Sequence, residues 1–572
     1  MPHPDSPAAP SSAEAVPSAA TAADPTGRSG AQTPLVRDVS AAMELVRSGD
    51  TIATSGFVGI GTPDALLAGL AARFEATGEP RDLTLYFAAG QGDGKAQGLN
   101  RLGASGLLRR VVGGHWGLIP TVAALALNDE IEAYNLPQGV ISRLYRDVAA
   151  GLPGTVSRVC LHTFVDPRNR GCKVNTATTQ DLVELTRFGG EEMLYYHGFS
   201  LDVALLRGTT ADELGNITME REALTLDALA MATAAHNCGG RVIVQVERVA
   251  AAGSLDPRLV KIPHVLVDAV VVAPPEQHQQ TYATPYSPGF AHEVRVPLSS
   301  IPPMPMGERK LCSRRTCLEL PDHGVVNLGI GMPEGVASVA AEEHVIDRIT
   351  LSAEPGVIGG VPAGGMDFGA AVNPDALVDQ NQQFDFYQGG GIDLAVLGMA
   401  ELDRDGNVNV SRFGPKLTGA GGFIDISQSA GAVCFVGSFT AGGLSVATGD
   451  GGLRILAEGR HRKLVERVEE VTFNGRYAAE RGQQVLYITE RAVFRATEEG
   501  LALVEIAPGL DIERDVLAHM AFTPLIDDVA TMDPRIFTAA PMGLADLLRP
   551  RPDGASRRRT HDDHTTPTRR KP

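Results

Sequence analysis

The sequence predicts an α/β protein made of two homologous halves, each with a largely parallel β-sheet flanked by helices. One observation is an internal repeat: Gly59-Ile60-Gly61-Thr62-Pro63-Asp64 recurs 270 residues later as Gly329-Ile330-Gly331-Met332-Pro333-Glu334. A β-rich run follows each copy after about twenty residues, at 83–90 and at 349–356. Each copy also lies between a strand pattern and a helix pattern, as in strand–loop–helix units.

The length and local composition predict the domain boundaries. A chain of 572 residues exceeds a single core. We expect a first domain over 35–300, a proline-rich linker over 301–307 and a second domain over 308–548. The segment 1–34 is rich in Ala, Pro, Ser and Thr and is predicted to be a disordered tail. The basic segment 549–572 is predicted to be a second disordered tail.

Charge and cysteine content exclude several functional classes. The net charge of −18 argues against nucleic acid or an anionic membrane as a partner. The longest uncharged run, 426–449, is rich in glycine and does not predict a membrane span. Six cysteines without a Cys-x-x-Cys pair predict reduced thiols, with neither disulfides nor a metal site, in a cytoplasmic protein.

The first glycine-rich copy illustrates the predicted local structure. Residues 51–54 form a strand pattern, Thr62 is predicted to cap the following helix, and Gly78 to end it. Such a loop aims backbone N–H groups at a ligand, although it is equally consistent with a plain tight turn. The dinucleotide-binding fingerprint fails, because its third glycine is Asp64 in one copy and Glu334 in the other.

The stretch from Ile349 to Gly360 carries the main catalytic candidate. It predicts a buried strand followed by a tight turn, with Glu354 at the carboxyl edge of the sheet, where ligands bind in open α/β sheets. A carboxylate in that place can attack a bound electrophile. The alternative is an ordinary turn or helix-capping carboxylate. In the first copy Ala88 stands at the equivalent position.

Two further turns and one basic loop complete the candidates. The segment 135–141 predicts a turn that presents Gln138 either to a ligand or to solvent, and 384–391 predicts another turn. Arg412 and Lys416 precede the glycines at 419–422, which together predict an amide-lined anion site.

With these motifs in order, the chain resembles the family I CoA-transferases, in their fused single-chain acetate/propionate (acyl-CoA:acetate/3-ketoacid) form. The resemblance covers most of 36–545. It rests on 56–63, Leu136-Pro137-Gln138-Gly139, Phe164-Val165-Asp166-Pro167-Arg168, Glu354 with its glycines, Gly421-Gly422-Phe423-Ile424-Asp425 and 506–511.

The resemblance implies ping-pong transfer of coenzyme A between short-chain carboxylic acids, through an acyl-glutamyl anhydride and a glutamyl-CoA thioester on Glu354. It implies that Gln138 and the Gly422 amide hold the oxyanions, in an active site between the halves. The implied CoA contacts are Gly329, Gly331, Met332, Gly398, Lys416 and Gly421. Nearby amides or a helix dipole are expected to offset the burial of Glu354, which must be ionised to attack.

The resemblance also sets expectations for cofactors and partners. No metal and no permanently bound cofactor are expected, since CoA is a substrate and a covalent intermediate. The partners are acyl-CoA and short-chain carboxylates, and a homo-oligomer, either dimer or tetramer, is expected. The alternatives are an acyl-CoA hydrolase, which needs no acceptor acid, and a non-catalytic small-ligand sensor, which has no use for a nucleophile.

Overall fold

The computed structural model describes residues 35–297 and 303–551. Both predicted tails therefore fall largely outside the described residues, as do the first two residues of the predicted linker. Residues 303–307 form neither helix nor strand, and a helix begins at Glu308.

The first half contains five α-helices and fifteen strands within its described residues. The helices are α1 (Val39–Met43), α2 (Asp64–Thr77), α3 (Pro120–Leu127), α4 (Gln138–Ala149) and α5 (Ala228–Asn237). The strands are β1 (Val36–Arg37), β2 (Thr51–Thr54), β3 (Leu83–Phe87), β4 (Leu108–Gly113), β5 (Glu132–Asn135), β6 (Gly154–Ser157), β7 (Val183–Phe188), β8 (Glu191–His197), β9 (Val203–Arg207), β10 (Thr210–Asp212), β11 (Ile217–Thr218), β12 (Arg241–Val246), β13 (Arg248–Ala250), β14 (Val260–Ile262) and β15 (Ala269–Val272).

The second half contains five α-helices and twenty strands over its described part. The helices are α6 (Glu308–Cys317), α7 (Gly335–Glu342), α8 (Gln380–Gln388), α9 (Phe423–Ser429) and α10 (Gly475–Glu480). The strands are β16 (Val325–Leu328), β17 (Thr350–Ala353), β18 (Val357–Ile358), β19 (Val361–Pro362), β20 (Ala371–Val372), β21 (Ala376–Leu377), β22 (Leu394–Gly398), β23 (Glu401–Leu402), β24 (Val408–Asn409), β25 (Arg412–Phe413), β26 (Lys416–Leu417), β27 (Ala432–Val436), β28 (Thr440–Ala441), β29 (Ser445–Gly449), β30 (Gly452–Ala457), β31 (His461–Arg462), β32 (Gln484–Ile488), β33 (Ala492–Thr497), β34 (Gly500–Ile506) and β35 (Leu525–Thr531).

The two halves share the order of five parallel strands, which confirms the predicted α/β architecture. The first sheet runs β1-β15-β12-β9-β2-β3-β4-β5 and the second β21-β18-β17-β16-β22-β27-β32-β33-β34-β35. The order β15-β12-β9-β2-β3 therefore matches β32-β27-β22-β16-β17, and every pair in both sets is parallel. Antiparallel strands are added to the second sheet at both ends of its shared core.

The strand register places Ala88 and Glu354 at equivalent positions. Thr84 of β3 pairs with Thr51 at the start of β2, and Thr350 of β17 pairs with Val325 at the start of β16. Counting four residues onward from each threonine reaches Ala88 in one half and Glu354 in the other. Only the second half therefore carries a carboxylate at this position.

Two of the predicted turns are helices. Gln138 begins the twelve-residue α4, and α8 occupies most of the predicted turn at 384–391. In α4 the buried residues Val140, Ile141, Leu144 and Tyr145 form one apolar stripe, and this packing outweighs the adjoining Pro and Gly. The predicted Thr62 cap is also wrong: Pro63 is the N-cap of α2, and the Thr62 hydroxyl donates to the Val58 carbonyl instead. Gly78 ends α2 in the left-handed conformation, as predicted.

Candidate active site

Glu354 is the first residue after β17, at the carboxyl edge of the second sheet. The chain turns over 354–356 and returns as the antiparallel β18. Gly356 has φ +122°, and a Cβ there would collide with the Val378 carbonyl, so the turn requires glycine. The Glu354 side chain is partly buried and accepts no hydrogen bond from any residue that the structure describes. The carboxylate is therefore not held by a hydrogen-bond donor of the described chain and is free to approach a ligand.

The Glu354 carboxylate lies directly against the backbone of Gly422. A Cβ added to Gly422 would be 3.1 Å from the Glu354 Oε2 and 3.3 Å from the ring of Phe384. The lack of a side chain on Gly422 therefore allows the carboxylate to approach the backbone. Over 35–297 and 303–551 the Gly422 N–H has no hydrogen-bond acceptor. It is a donor available to a ligand.

Gln138, which belongs to the first half, lies next to the loop that contains Gly421 and Gly422. It is buried, with 1% of its surface exposed, and its backbone N–H donates to the Gly421 carbonyl at 2.9 Å. Its Oε1 lies 3.8 Å from the position that a Cβ on Gly421 would take. Its Nε2 donates to Gln380 Oε1 at 3.1 Å. Residues 421 and 422 therefore lie between the Gln138 amide and the Glu354 carboxylate.

Asp425 joins the two halves beside these residues. It is fully buried, and its carboxylate accepts hydrogen bonds from the Gly139 backbone N–H at 3.0 Å and from Gln388 Nε2 at 3.0 Å. The Gly421 N–H donates to the Gly114 carbonyl at 2.7 Å, which adds a further hydrogen bond between the halves. These bonds fix the start of α4 relative to the loop that precedes α9.

Burial dominates the electrostatics of both carboxyl groups. Burial, with a smaller contribution from the charge of Asp425, raises the pKa of Glu354 to about 7. Burial also raises the pKa of Asp425 to about 7, against the opposing effect of its hydrogen bonds from Gly139 and Gln388. From the sequence, nearby amides or a helix dipole are expected to offset the burial of Glu354. The described residues provide no such hydrogen bond, so the carboxylate keeps a raised pKa and high basicity.

His115 is a site residue that the sequence argument missed. It follows β4 in the stretch Gly113-Gly114-His115-Trp116-Gly117, and its Cβ lies 3.7 Å from where a Cβ on Gly421 would be. Burial and the positive charge of Lys416 lower the pKa of His115 to about 4, so its imidazole is neutral at pH 7. The signal for it was the glycine-rich run at the end of a strand, on the same edge of the sheet as Ala88.

The candidate CoA contacts at the ends of β16 and β22 lie on open surface. Gly331 is exposed with φ +86°, and Met332 begins a short 3₁₀ turn that leads into α7. Gly329 follows β16 and donates to the Val396 carbonyl. A Cβ at Gly331 or at Gly398 would meet no described atom within 4 Å. The loop and Gly398 therefore have space for a ligand beside them.

The two remaining candidate CoA contacts, Lys416 and Gly421, differ in exposure. Lys416 is exposed on the hairpin of β25 and β26, and no carboxylate of the described chain forms an ion pair with it. Gly421 is buried, and both its N–H and its carbonyl are engaged by the other half. Lys416 is thus available to an anion, whereas the Gly421 N–H already donates to Gly114 and is not available as a donor to CoA.

The described residues do not meet the requirements of a metal site, a disulfide or a membrane-spanning helix. Within 35–297 and 303–551, no group of three or more His, Cys, Asp and Glu side chains is placed to hold a metal ion. The six cysteines are free thiols, of which Cys238 alone is partly exposed. In that same part of the chain no helix is both long and apolar enough to cross a membrane.

Comparison with known proteins gives consistent matches. Residues 36–273 match the family model described as Coenzyme A transferase. The caffeate CoA-transferase of Acetobacterium woodii is 46% identical over 519 residues, which cover 89% of this chain and 98% of that protein. The acetate CoA-transferase YdiF of Escherichia coli O157:H7 is 43% identical over 486 residues, covering 85% of this chain and 91% of that protein.

The fold matches a solved structure over nearly its full length. The crystal structure of the YdiF apoenzyme superposes with a TM-score of 0.85 and 40% sequence identity, covering 90% of this chain and 98% of that one. YdiF has also been solved as a thioester complex with CoA, with the same TM-score and coverage. Identity at this level over nearly the whole chain establishes the relationship: this protein belongs to the coenzyme A transferase family.

Proposed function

We propose that this CoA-transferase exchanges coenzyme A between short-chain carboxylic acids by a ping-pong reaction in which Glu354 carries the CoA. One observation carries the proposal. The Glu354 carboxylate, whose pKa is raised to about 7, accepts no hydrogen bond within the described residues and lies against the backbone of Gly422 at the junction of the two halves, where the Gly422 N–H has no described acceptor. A carboxylate that is poorly stabilised in its ionised form is a strong nucleophile.

The first half-reaction loads CoA onto the enzyme. Glu354 attacks the thioester carbonyl of acyl-CoA, the carbon–sulfur bond breaks, and an acyl-glutamyl anhydride and the CoA thiolate result. The thiolate then attacks the glutamyl carbonyl of the anhydride. The donor acid leaves as its carboxylate, and a glutamyl-CoA thioester remains. No proton is transferred in either step, because the nucleophiles and the leaving groups are anions.

The second half-reaction reverses these steps with a different acid. The acceptor carboxylate attacks the glutamyl thioester, which expels the CoA thiolate and forms a new anhydride on Glu354. The thiolate attacks the acyl carbonyl of that anhydride, so that the new acyl-CoA leaves and the Glu354 carboxylate is regenerated. The carbonyl of Glu354 stays activated between the two half-reactions, first in the anhydride and then in the glutamyl-CoA thioester, so the acceptor carboxylate can react with it.

Each tetrahedral intermediate carries an oxyanion that needs a hydrogen-bond donor. The Gly422 N–H has no other described acceptor, and Gln138 has a second Nε2 hydrogen besides the one it gives to Gln380. We assign these two groups as the oxyanion donors. They come from opposite halves, so that both halves are required for catalysis.

The open glycines and one lysine are assigned to CoA. The loop from Gly329 to Met332 and the space beside Gly398 lie at the same carboxyl edge of the second sheet as Glu354. Lys416 is an exposed cation near His115, suited to a phosphate of CoA. These contacts would hold a polyanionic ligand on a protein whose net charge is −18.

Steady-state kinetics with acetyl-CoA and a short-chain acceptor acid test the proposal. A ping-pong reaction gives parallel double-reciprocal lines at several acceptor concentrations, and Glu354→Ala is expected to abolish transfer. Intersecting lines would contradict the covalent intermediate. Release of CoA at an equal rate without an acceptor acid would instead identify a hydrolase, in which water intercepts the same intermediate.

A further inference from the structure

We propose that Gln380 and Asp227 are positioning residues that hold the side-chain amide of Gln138 in one of its two orientations. The three side chains form a continuous buried chain of hydrogen bonds. Gln138 Nε2 donates to Gln380 Oε1 at 3.1 Å, and Gln380 Nε2 donates to Asp227 Oδ2 at 2.7 Å. The inference rests on the proposed function, since it concerns the role assigned there to Gln138.

The chemistry at the end of this chain sets its direction. An ionised carboxylate can only accept hydrogen bonds, so Asp227 requires a donor and orients the NH₂ group of Gln380 toward itself. The carbonyl oxygen of Gln380 is then the group that faces Gln138. If the Gln138 amide turned over, two carbonyl oxygens would meet in a buried place without a hydrogen atom between them. The amide of Gln138 therefore keeps its nitrogen on this side and has one N–H left for an oxyanion.

The surroundings of Asp227 support this role. Asp227 is the N-cap residue of α5, a position where an aspartate normally caps its own helix. Its side chain makes no such cap, and its other oxygen accepts a hydrogen bond from the Ser142 hydroxyl at 2.5 Å. Ser142 lies one turn after Gln138 on α4, so this bond ties Asp227 to the helix that carries the amide.

Burial isolates the chain from competing partners. Gln138, Gln380, Asp227 and Ser142 are each 3% exposed or less. Burial, with a smaller contribution from the charge of Asp379, raises the pKa of Asp227 to about 7. The ionised form of Asp227 therefore dominates at pH 8.5, which is the condition chosen for the test.

A double-mutant cycle tests whether Gln380 acts through Gln138. Gln380→Met keeps the length of the side chain and removes both polar groups. We expect it to lower kcat for acetyl-CoA:carboxylate transfer at pH 8.5 by about 10- to 100-fold, a smaller effect than loss of an oxyanion donor itself. The KM for acetyl-CoA should change less than about twofold, because the oxyanion exists only in the transition state. In a protein that already carries Gln138→Ala, the same substitution should have no further effect on kcat.

Two variants serve as control and second test. Gln382 is exposed on the same helix, so Gln382→Met should leave kcat unchanged. Asp227→Ala removes the acceptor that orients the Gln380 amide, so its kcat should also fall without further loss beside Gln138→Ala. The thermal unfolding temperature of each variant shows whether it folds.

The possible results distinguish a failure of the hydrogen-bond chain from Asp227 through Gln380 to Gln138, here called the relay, from a failure of the proposed function. Losses that multiply in the double variants would overturn the relay, as would wild-type kcat in Gln380→Met and Asp227→Ala while Gln138→Ala is slow. An unchanged kcat in Gln138→Ala would remove Gln138 from the oxyanion site, and the relay with it. Absence of transfer by the wild-type protein would refute the proposed function itself.

Discussion

Replacing Glu354 with glutamine is expected to stabilise the folded protein above pH 7, although it removes the proposed nucleophile. The pKa of this carboxyl rises from an ordinary 4.5 to about 7 on folding. A group with a raised pKa contributes its full stability below pH 4.5 and loses it as the pH rises through about 7. The shift corresponds to about 3 kcal/mol at high pH. Part of this shift comes from the neighbouring carboxyl of Asp425, and the two groups titrate together. We therefore expect Glu354→Gln to raise the free energy of unfolding by about 1–3 kcal/mol.

The measurement compares the thermal unfolding of wild type and variant at pH 5 and at pH 8.5. For a chain with about 500 ordered residues, 1–3 kcal/mol corresponds to a Tm shift of roughly 1–3 °C. The variant should gain this amount relative to wild type on going from pH 5 to pH 8.5. Glu75→Gln, at an exposed position of α2, is the matched control and should show no such gain. A Glu354→Gln variant that gains no more than the control would refute the claim that the ionised carboxylate is poorly stabilised.

The remaining predictions concern activity. Glu354→Asp should reduce transfer by about 100-fold or more, because it withdraws the carboxylate by about 1 Å; a rate near that of wild type would contradict its role as nucleophile. Gln138→Ala should lower kcat by about 100- to 1,000-fold, while KM changes little, as for other side-chain oxyanion donors; unchanged kcat would exclude it from the site. Asp425→Asn removes a negative neighbour, so the acid limb of the kcat/KM profile against pH should move to lower pH; an unmoved limb would show that Asp425 does not influence Glu354.

The features that depend on local pattern could be predicted from the sequence. The glycine-rich copies and the β-rich runs that follow them gave the two homologous α/β halves, since strand and loop residues lie close together along the chain. The position of Glu354 after β17 followed from the same pattern. The equivalence of Ala88 to Glu354 appears in the sequence and in the register of Thr84 and Thr350.

The features that depend on packing could not be predicted. The local patterns at 135–141 and 384–391 predict turns because both contain glycine, yet α4 begins at Gln138 and α8, which begins at Gln380, covers most of the second segment. The buried faces of these helices decide the structure. The hydrogen bond between these two glutamines joins residues 242 positions apart, which no local pattern reports. The carboxylate of Asp425 was visible within a motif, but its contact with Gly139 depends on how the halves pack.

The central claim is that Glu354 carries CoA as a thioester, and mass spectrometry of the full chain tests it most directly. The protein is incubated with acetyl-CoA without an acceptor acid, digested, and its peptides are searched for an adduct of CoA less one water. The expected result is an adduct on Glu354 that disappears when an acceptor carboxylic acid is added and that is absent from the Glu354→Ala variant. An adduct on a different residue, or active wild-type protein that never acquires CoA, would contradict the mechanism.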